Sequence, residues 1–266
     1  FMVYIFFLLL AFACVNIHAQ TALPPVWQSD TQKEVQVSTR TIAYLPPTRI
    51  VWQETTGESS IQGLENLLLR GNGQADLFDG QITRIKNGAT GKASFLLDFG
   101  RELQGGIQVV TGRSSKKEMK IRVRLGESVS EAMCDITPEN GATNDHAIRD
   151  FYLTLPWLGV AEIGNSGFRF VRIDLEEPDA ELSLKEIRAT FGYRDIPYLG
   201  SFKCDNERLN DIWMTGAYTV HLNMQEYIWD GVKRDRLVWI GDLHPELMTV
   251  NTVFGYNEVI PKSLDL

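Results

Sequence analysis

Residues 229–246 read WDGVKRDRLVWIGDLHPE. Asp230, Asp235, Asp242 and Glu246 stand among Lys233, Arg234 and Arg236, with Trp229 and Trp239 interleaved. Gly231 and Gly241 interrupt any continuous helix through the stretch, so an irregular segment is expected. Carboxylates move protons and indole faces stack on sugar rings, so this mixture suits a carbohydrate site. A solvated, salt-bridged loop explains the charges as readily. It does not explain two tryptophans, which favour burial or a ligand.

The sequence on either side of this stretch is helical. Asp205 is a plausible N-cap, and Leu209, Ile212, Trp213, Gly216, Ala217 and Val220 then fall on one helical stripe running to about Asn223. Asp242 is placed to cap a second helix, with Pro245 in its first turn and Leu243, Leu247, Val250, Asn251 and Phe254 facing inward.

Further back the period changes. Residues 120–125 alternate polar and apolar, as do Phe151, Leu153 and Leu155, and again Ile187, Ala189, Phe191 and Tyr193. Phe168 and Phe170 alternate before Val171, Ile173 and Leu175 change face, which predicts a bulge. Turn residues stand between the runs: Gly105-Gly106, Gly112, Gly126, Pro138-Glu139-Asn140-Gly141 and Gly164-Asn165-Ser166-Gly167. Short strands so punctuated predict an all-β antiparallel sandwich, jelly-roll-like. Residues 22–52 read as extended, and residues 64–69 as one helical turn closed by Gly71. Asp98-Phe99-Gly100 spells a kinase triplet, but no phosphate loop accompanies it, so it reads as a strand end. Asn144-Asp145-His146 has side chains able to line a sugar or calcium pocket, although such triplets commonly sit on solvated loops.

The stretch at 230–242 resembles the signature of bacterial α-L-rhamnosidases, glycoside hydrolase family 78, through Asp230, Arg234, Asp235, Arg236, Leu237, Trp239, Gly241 and Asp242. Gly231-Val232 replaces a common Cys-Pro, and Asp235 stands where the family usually has Glu. The segment from Asp98 to Glu102 is similar to one in the β-sandwich that precedes the family's catalytic barrel. The resemblance implies a β-sandwich over residues 20–196, then over 197–266 the first helices of a truncated (α/α)₆ six-hairpin barrel. It further implies release of terminal α-L-rhamnosyl residues by an inverting acid/base mechanism, with Asp235 as the general acid. Asp230, Arg234, Trp239, Asp242 and His244 would hold the sugar, and Glu226 or Glu246 is the reserve acid. The family's catalytic base lies beyond Leu266, so the chain is expected to be an inactive fragment of an active parent. A non-catalytic carbohydrate-binding sandwich with a helical appendage is the alternative, and a helical-barrel hydrolase of another sugar is a third.

The 266 residues carry 26 Lys+Arg against 34 Asp+Glu, a formal charge of −8. This gives no support to nucleic-acid binding, which needs a basic face. No charge precedes Asp30, and residues 3–15 form an apolar run. A run of about 13 residues is too short to cross a bilayer but fits a signal-peptide core. Residues 1–19 are therefore expected to be a signal peptide cleaved after Ala19, giving a secreted or periplasmic protein with no membrane attachment afterwards. Cys14 sits in a poor lipoprotein context. Cys134 and Cys204 remain, either paired or, more commonly for lone cysteines, buried as small apolar residues. No CxxC or His/Cys cluster is present, so neither a zinc site nor a cofactor is expected.

Overall fold

The computed structural model describes residues 39–77, 80–137, 139 and 148–266. The expected signal segment, the first part of the extended stretch, the Asn144-Asp145-His146 triplet and most of the turn at 138–141 lie outside the described residues. The described strands are β1 (Arg40–Leu45), β2 (Arg49–Thr55), β3 (Ser60–Gln62), β4 (Thr83–Asn87), β5 (Ala93–Thr111), β6 (Glu118–Gly126), β7 (Asp150–Pro156), β8 (Gly159–Leu175) and β9 (Ala180–Arg194). They form an antiparallel sheet in the order β3-β4-β9-β5-β8-β6-β7, with β1 added to β9 and β2 to β5. The single turn after β3 is a 3₁₀ helix, Leu64–Leu68.

Where many short strands are expected, three long ones run from one layer into the other. Ala93–Asp98 of β5 pairs with β2 and β8, whereas Gly105–Thr111 pairs with β8 and β9. The glycine pairs read above as turns are the bends inside these strands. Gly164 has φ 94°, and a Cβ on Gly106 would lie 2.3 Å from the carbonyl oxygen of Gly164. A side chain at Gly106 would drive the strands apart at the bend. The expected bulge beside Phe170 is present, but its extra residues are on the partner strand. Asp98 pairs with Phe170 and Leu103 with Phe168, so residues 99–102 bow out opposite Arg169 alone.

The core lies between the layers. Phe95, Leu97, Leu103, Ile107, Ile121, Val123, Phe168, Val171, Ile173, Leu182 and Ile187 are all buried in it. Burial of each such side chain contributes about 1.5–3 kcal/mol. The alternation at 120–125 has Ile121, Val123 and Leu125 inside as expected. Arg124 departs from it: its guanidinium is buried, 2.7 Å from each of Asp135 and Asp174. A short helix, α1 (Val129–Met133), follows β6, with the Ser128 hydroxyl accepting from the Glu131 amide. Cys134 and Cys204 are free and half-buried.

After β9 the chain becomes helical: α2 (Glu207–Asn223), α3 (Ile240–Val253) and α4 (Val259–Leu264). The N-cap of α2 is Asn206 rather than Asp205, its side chain accepting from the Arg208 amide. Trp239, not Asp242, occupies the N-cap of α3. Gly241 and Asp242 are therefore helical, and Pro245 lies in the second turn. Ala217, Leu243, Val250, Val253 and Phe254 form the helical core, while Asn251 points out and Val253 fills the place expected for it. Arg194, at the end of β9, is fully buried and joins strands to helices. It donates to the Gln225 carbonyl at 2.7 Å and pairs with Glu258, and its own carbonyl oxygen lies 2.7 Å from His221 Nε2.

Candidate active site

Between α2 and α3 the chain closes a loop on Asp230. The Asp230 amide donates to the Leu237 carbonyl at 2.9 Å, and the Leu237 amide donates to Asp230 Oδ1 at 2.9 Å. Asp230 thus holds both ends of an eight-residue loop and still presents a second carboxylate oxygen. At the far end of the loop, Asp235 and Arg236 have φ of 57° and 53°. The Arg236 amide donates to the Arg234 carbonyl at 2.7 Å, a tight turn around Asp235. Two successive non-glycine residues in the left-handed region cost about 1–3 kcal/mol each. Strain of this size persists where surrounding contacts fix it.

Those contacts come from the sandwich. Arg236 Nη1 donates to the Asn165 carbonyl at 2.8 Å, and its guanidinium stands 5.7 Å from the Trp229 ring centre. Val232 is buried against Gly167, where a Cβ would come within 2.7 Å of its side chain. Lys233 pairs with Glu127 at 3.2 Å and with Glu131. Beneath it lies Glu102, on the bowed segment of β5, with one carboxylate oxygen buried and lacking a hydrogen-bond partner among the described residues. Burial, chiefly, and then Glu127 push its carboxyl up to about 8. Tyr218 of α2 donates to the Glu102 carbonyl at 2.6 Å, anchoring the helix to the same segment.

The carboxylates of the stretch fall into two groups. Glu246 is one turn after Asp242 on α3, and its carboxyl is pushed up to about 7 by burial first, then by Asp242 and Asp230. Asp230 and Asp242 therefore stand close enough to Glu246 to disfavour its charge. Asp235 stands on the strained turn, half-buried, with Arg234 at 3.6 Å. Arg234 faces Asp235, whereas Arg236 turns away to the Asn165 carbonyl. Trp239 and His244 are exposed at the start of α3. Glu226 is paired with Lys262, which holds its carboxyl below the ordinary range, so it is unsuited to donating a proton near neutral pH. The residues that grip the loop or lie beneath it, Glu127, Glu131, Asn165 and Glu102, were not legible as a group, because they are distant in sequence. A single hint was Glu102 itself, at the end of the Asp98–Glu102 segment.

Residues 197–266 match the family model described as the bacterial alpha-L-rhamnosidase 6 hairpin glycosidase domain. The helical segment of this chain is therefore similar to that domain. The fold of the chain is similar to that of a rhamnosidase from Klebsiella oxytoca with rhamnose bound (TM-score 0.64, 16% identity, covering 85% of this chain and 44% of the other). It is also similar to the GH78 family rhamnosidase of Bacillus sp. GL1 (TM-score 0.58, 22% identity, 77% and 20%). At these identities the likeness concerns the fold. The chain spans less than half the length of either rhamnosidase. No curated protein sequence matches it.

Proposed function

We propose that this protein is a glycoside hydrolase that releases terminal α-L-rhamnosyl residues with inversion, and that residues 230–246 carry its acid side. The observation that carries this reading is the convergence of Asp230, Asp242 and Glu246 beside two tryptophans, within the segment that matches the rhamnosidase domain. Asp235 protonates the leaving oxygen from its strained turn. Asp230, Arg234, Asp242 and His244 hold the sugar hydroxyls, and Trp239 stacks on the ring. An inverting reaction needs a second carboxylate about 6.5–9.5 Å from the acid, activating water on the opposite face. The resemblance assigns that base to a part of the family's domain beyond these residues, so residues 1–266 alone are expected not to turn over. The domain division proposed is a signal peptide at 1–19, a sandwich at 20–196 and six-hairpin helices from 197, in a secreted or periplasmic protein.

One observation favours a second assignment of the acid. Glu246, pushed up to about 7 by burial and then by Asp242 and Asp230, holds its proton at the pH where an acid catalyst works. In that variant Asp235 becomes a sugar ligand, and the reaction class is unchanged. The test is hydrolysis of an aryl α-L-rhamnoside by the full-length protein, with NMR of the first-formed sugar. The β anomer is expected. Initial release of the α anomer overturns inversion, and no release from any rhamnoside overturns the substrate class.

A further inference from the structure

The sandwich has a notch in one sheet edge, away from the loop at 230–237. β1 pairs with β9 over residues 189–194 and β4 pairs with it over 180–184, so residues 185–188 have no strand beside them on that edge. Residues 69–73 cross the gap, leaving a cavity of about 350 Å³ between this crossing segment, β1 and β9. Ile187 points into the core, so Glu186 and Arg188 face the notch and form its floor.

The floor is held in place from several directions. Glu186 is buried, and its Oε1 accepts from the Gly73 amide at 2.8 Å. Its Oε2 lies 3.8 Å from Arg188 Nη1. Arg188 Nε donates to Gln108 Oε1 at 2.7 Å, and Gln108 donates in turn to Glu162 at 2.5 Å. The outer nitrogens of Arg188 have no hydrogen-bond partner among the described residues. A Cβ on Gly71 would sit 2.0 Å from Glu186 Oε1, and one on Gly73 would sit 1.8 Å from Arg188 Nη2. The crossing segment can lie against the floor because these two positions are glycine. On the wall, the Arg188 guanidinium stands 4.2 Å from the Tyr44 ring centre, yet Tyr44 as a whole remains 39% exposed.

A carboxylate beside a guanidinium offers acceptors and a donor fork to neighbouring hydroxyls, and their charges balance. An ionic ligand would face a like charge on one of them. The exposed aromatic wall suits an apolar C–H face, and the volume suits a compact ligand. We propose that this notch is a second carbohydrate subsite, taking one neutral sugar residue with its hydroxyls on Glu186 and Arg188 and one face on Tyr44. It stands independently of the assignment at 230–246.

Backbone-amide NMR of the 266-residue chain, titrated with methyl glycosides including methyl α-L-rhamnoside, tests this. Saturable shifts at Gly71, Gly73 and Ile187 are expected with at least one neutral glycoside. Tyr44→Ala is expected to weaken that binding about tenfold, the scale of one lost ring contact. Arg188→Gln is expected to weaken it further. Tyr44 is exposed enough for its variant to keep the fold, which a thermal melt verifies, so the result stands even if Arg188→Gln unfolds. Shifts confined to residues 230–246 would overturn the subsite while supporting the active-site reading. Shifts with glucuronate alone would overturn the neutral ligand, and unchanged affinity in folded Tyr44→Ala would overturn the binding mode.

Discussion

Phe168 and Ile212 show how differently the two regions treat a large apolar side chain. Phe168 lies in β8, is fully buried and meets Phe99 edge to face at 5.7 Å. Ile212 lies in α2 and is 57% exposed, with Met214 and Met248 of α3 similarly open. In the sandwich, strand alternation and long bent strands close the core from both layers. In the helical region α2 and α3 share one seam, through Ala217, Leu243 and Val250, while a second apolar face remains uncovered. A helix that is apolar on two sides needs two contacts, and these helices have one. The sandwich thus has the closed core, and the loop at 230–237 is held by contacts from it.

The comparison is broken most directly by truncation. Phe168→Ala is expected to cost about 3–5 kcal/mol in urea unfolding, and Ile212→Ala within about 0.5 kcal/mol. Equal costs would mean that the helical face is covered in solution. The ion pairs make the same contrast. Asp174 is 1% exposed and pairs with Arg124 and Arg172, so Asp174→Asn is expected to cost about 3–5 kcal/mol. Glu226→Gln, which removes an exposed pair with Lys262, is expected to cost about 0–1 kcal/mol.

Smaller effects appear as pH dependence, with opposite signs for a carboxylate gripped by arginines and for carboxylates buried without them. Asp98, gripped by Arg169 first and then by Gly100 and Arg49, is lowered from 3.8 to about 2. Its contribution is complete above about pH 4 and is lost as pH falls toward 2. Glu102 and Glu246 are raised from 4.5, to about 8 and about 7. The folded state favours their protons, so stability present below pH 4.5 is lost as pH rises through 7 to 8. Glu102→Gln is expected to flatten that decline; an unchanged slope would remove Glu102 as its source. A local effect is expected from Lys233→Met, which frees the loop from Glu127 and Glu131. Global stability should change by about 1 kcal/mol or less, while amide exchange at Leu237 quickens. Unchanged exchange would show that Val232 and Arg236 hold the loop without it.

How much of this was legible in the sequence follows from the range of the interactions. The alternation at 120–125 and the stripe through Leu243 and Val250 are local and were readable. The bends at Gly106 and Gly164 look like turns in sequence, because the close approach that requires glycine comes from another strand. Asp242 has the chemistry of an N-cap, yet the helix starts earlier, at Trp239, where no side chain caps it. At the site, the residue types of 230–246 were informative, but the left-handed turn at Asp235 was not. Two successive non-glycine residues adopt it only because Asn165, Gly167 and Glu131 hold their neighbours from across the fold.

The most direct test is Asp235→Asn in the full-length protein, assayed on a natural rhamnoside and on an aryl rhamnoside with a good leaving group. Loss of a general acid is expected to lower the natural reaction by about 10²–10⁴-fold, and the aryl reaction far less, because its leaving group departs without a proton. Glu246→Gln is measured beside it and takes over the role if it alone produces that split. Equal loss on both substrates in both variants, or no loss in either, would contradict the placement of the acid in residues 230–246.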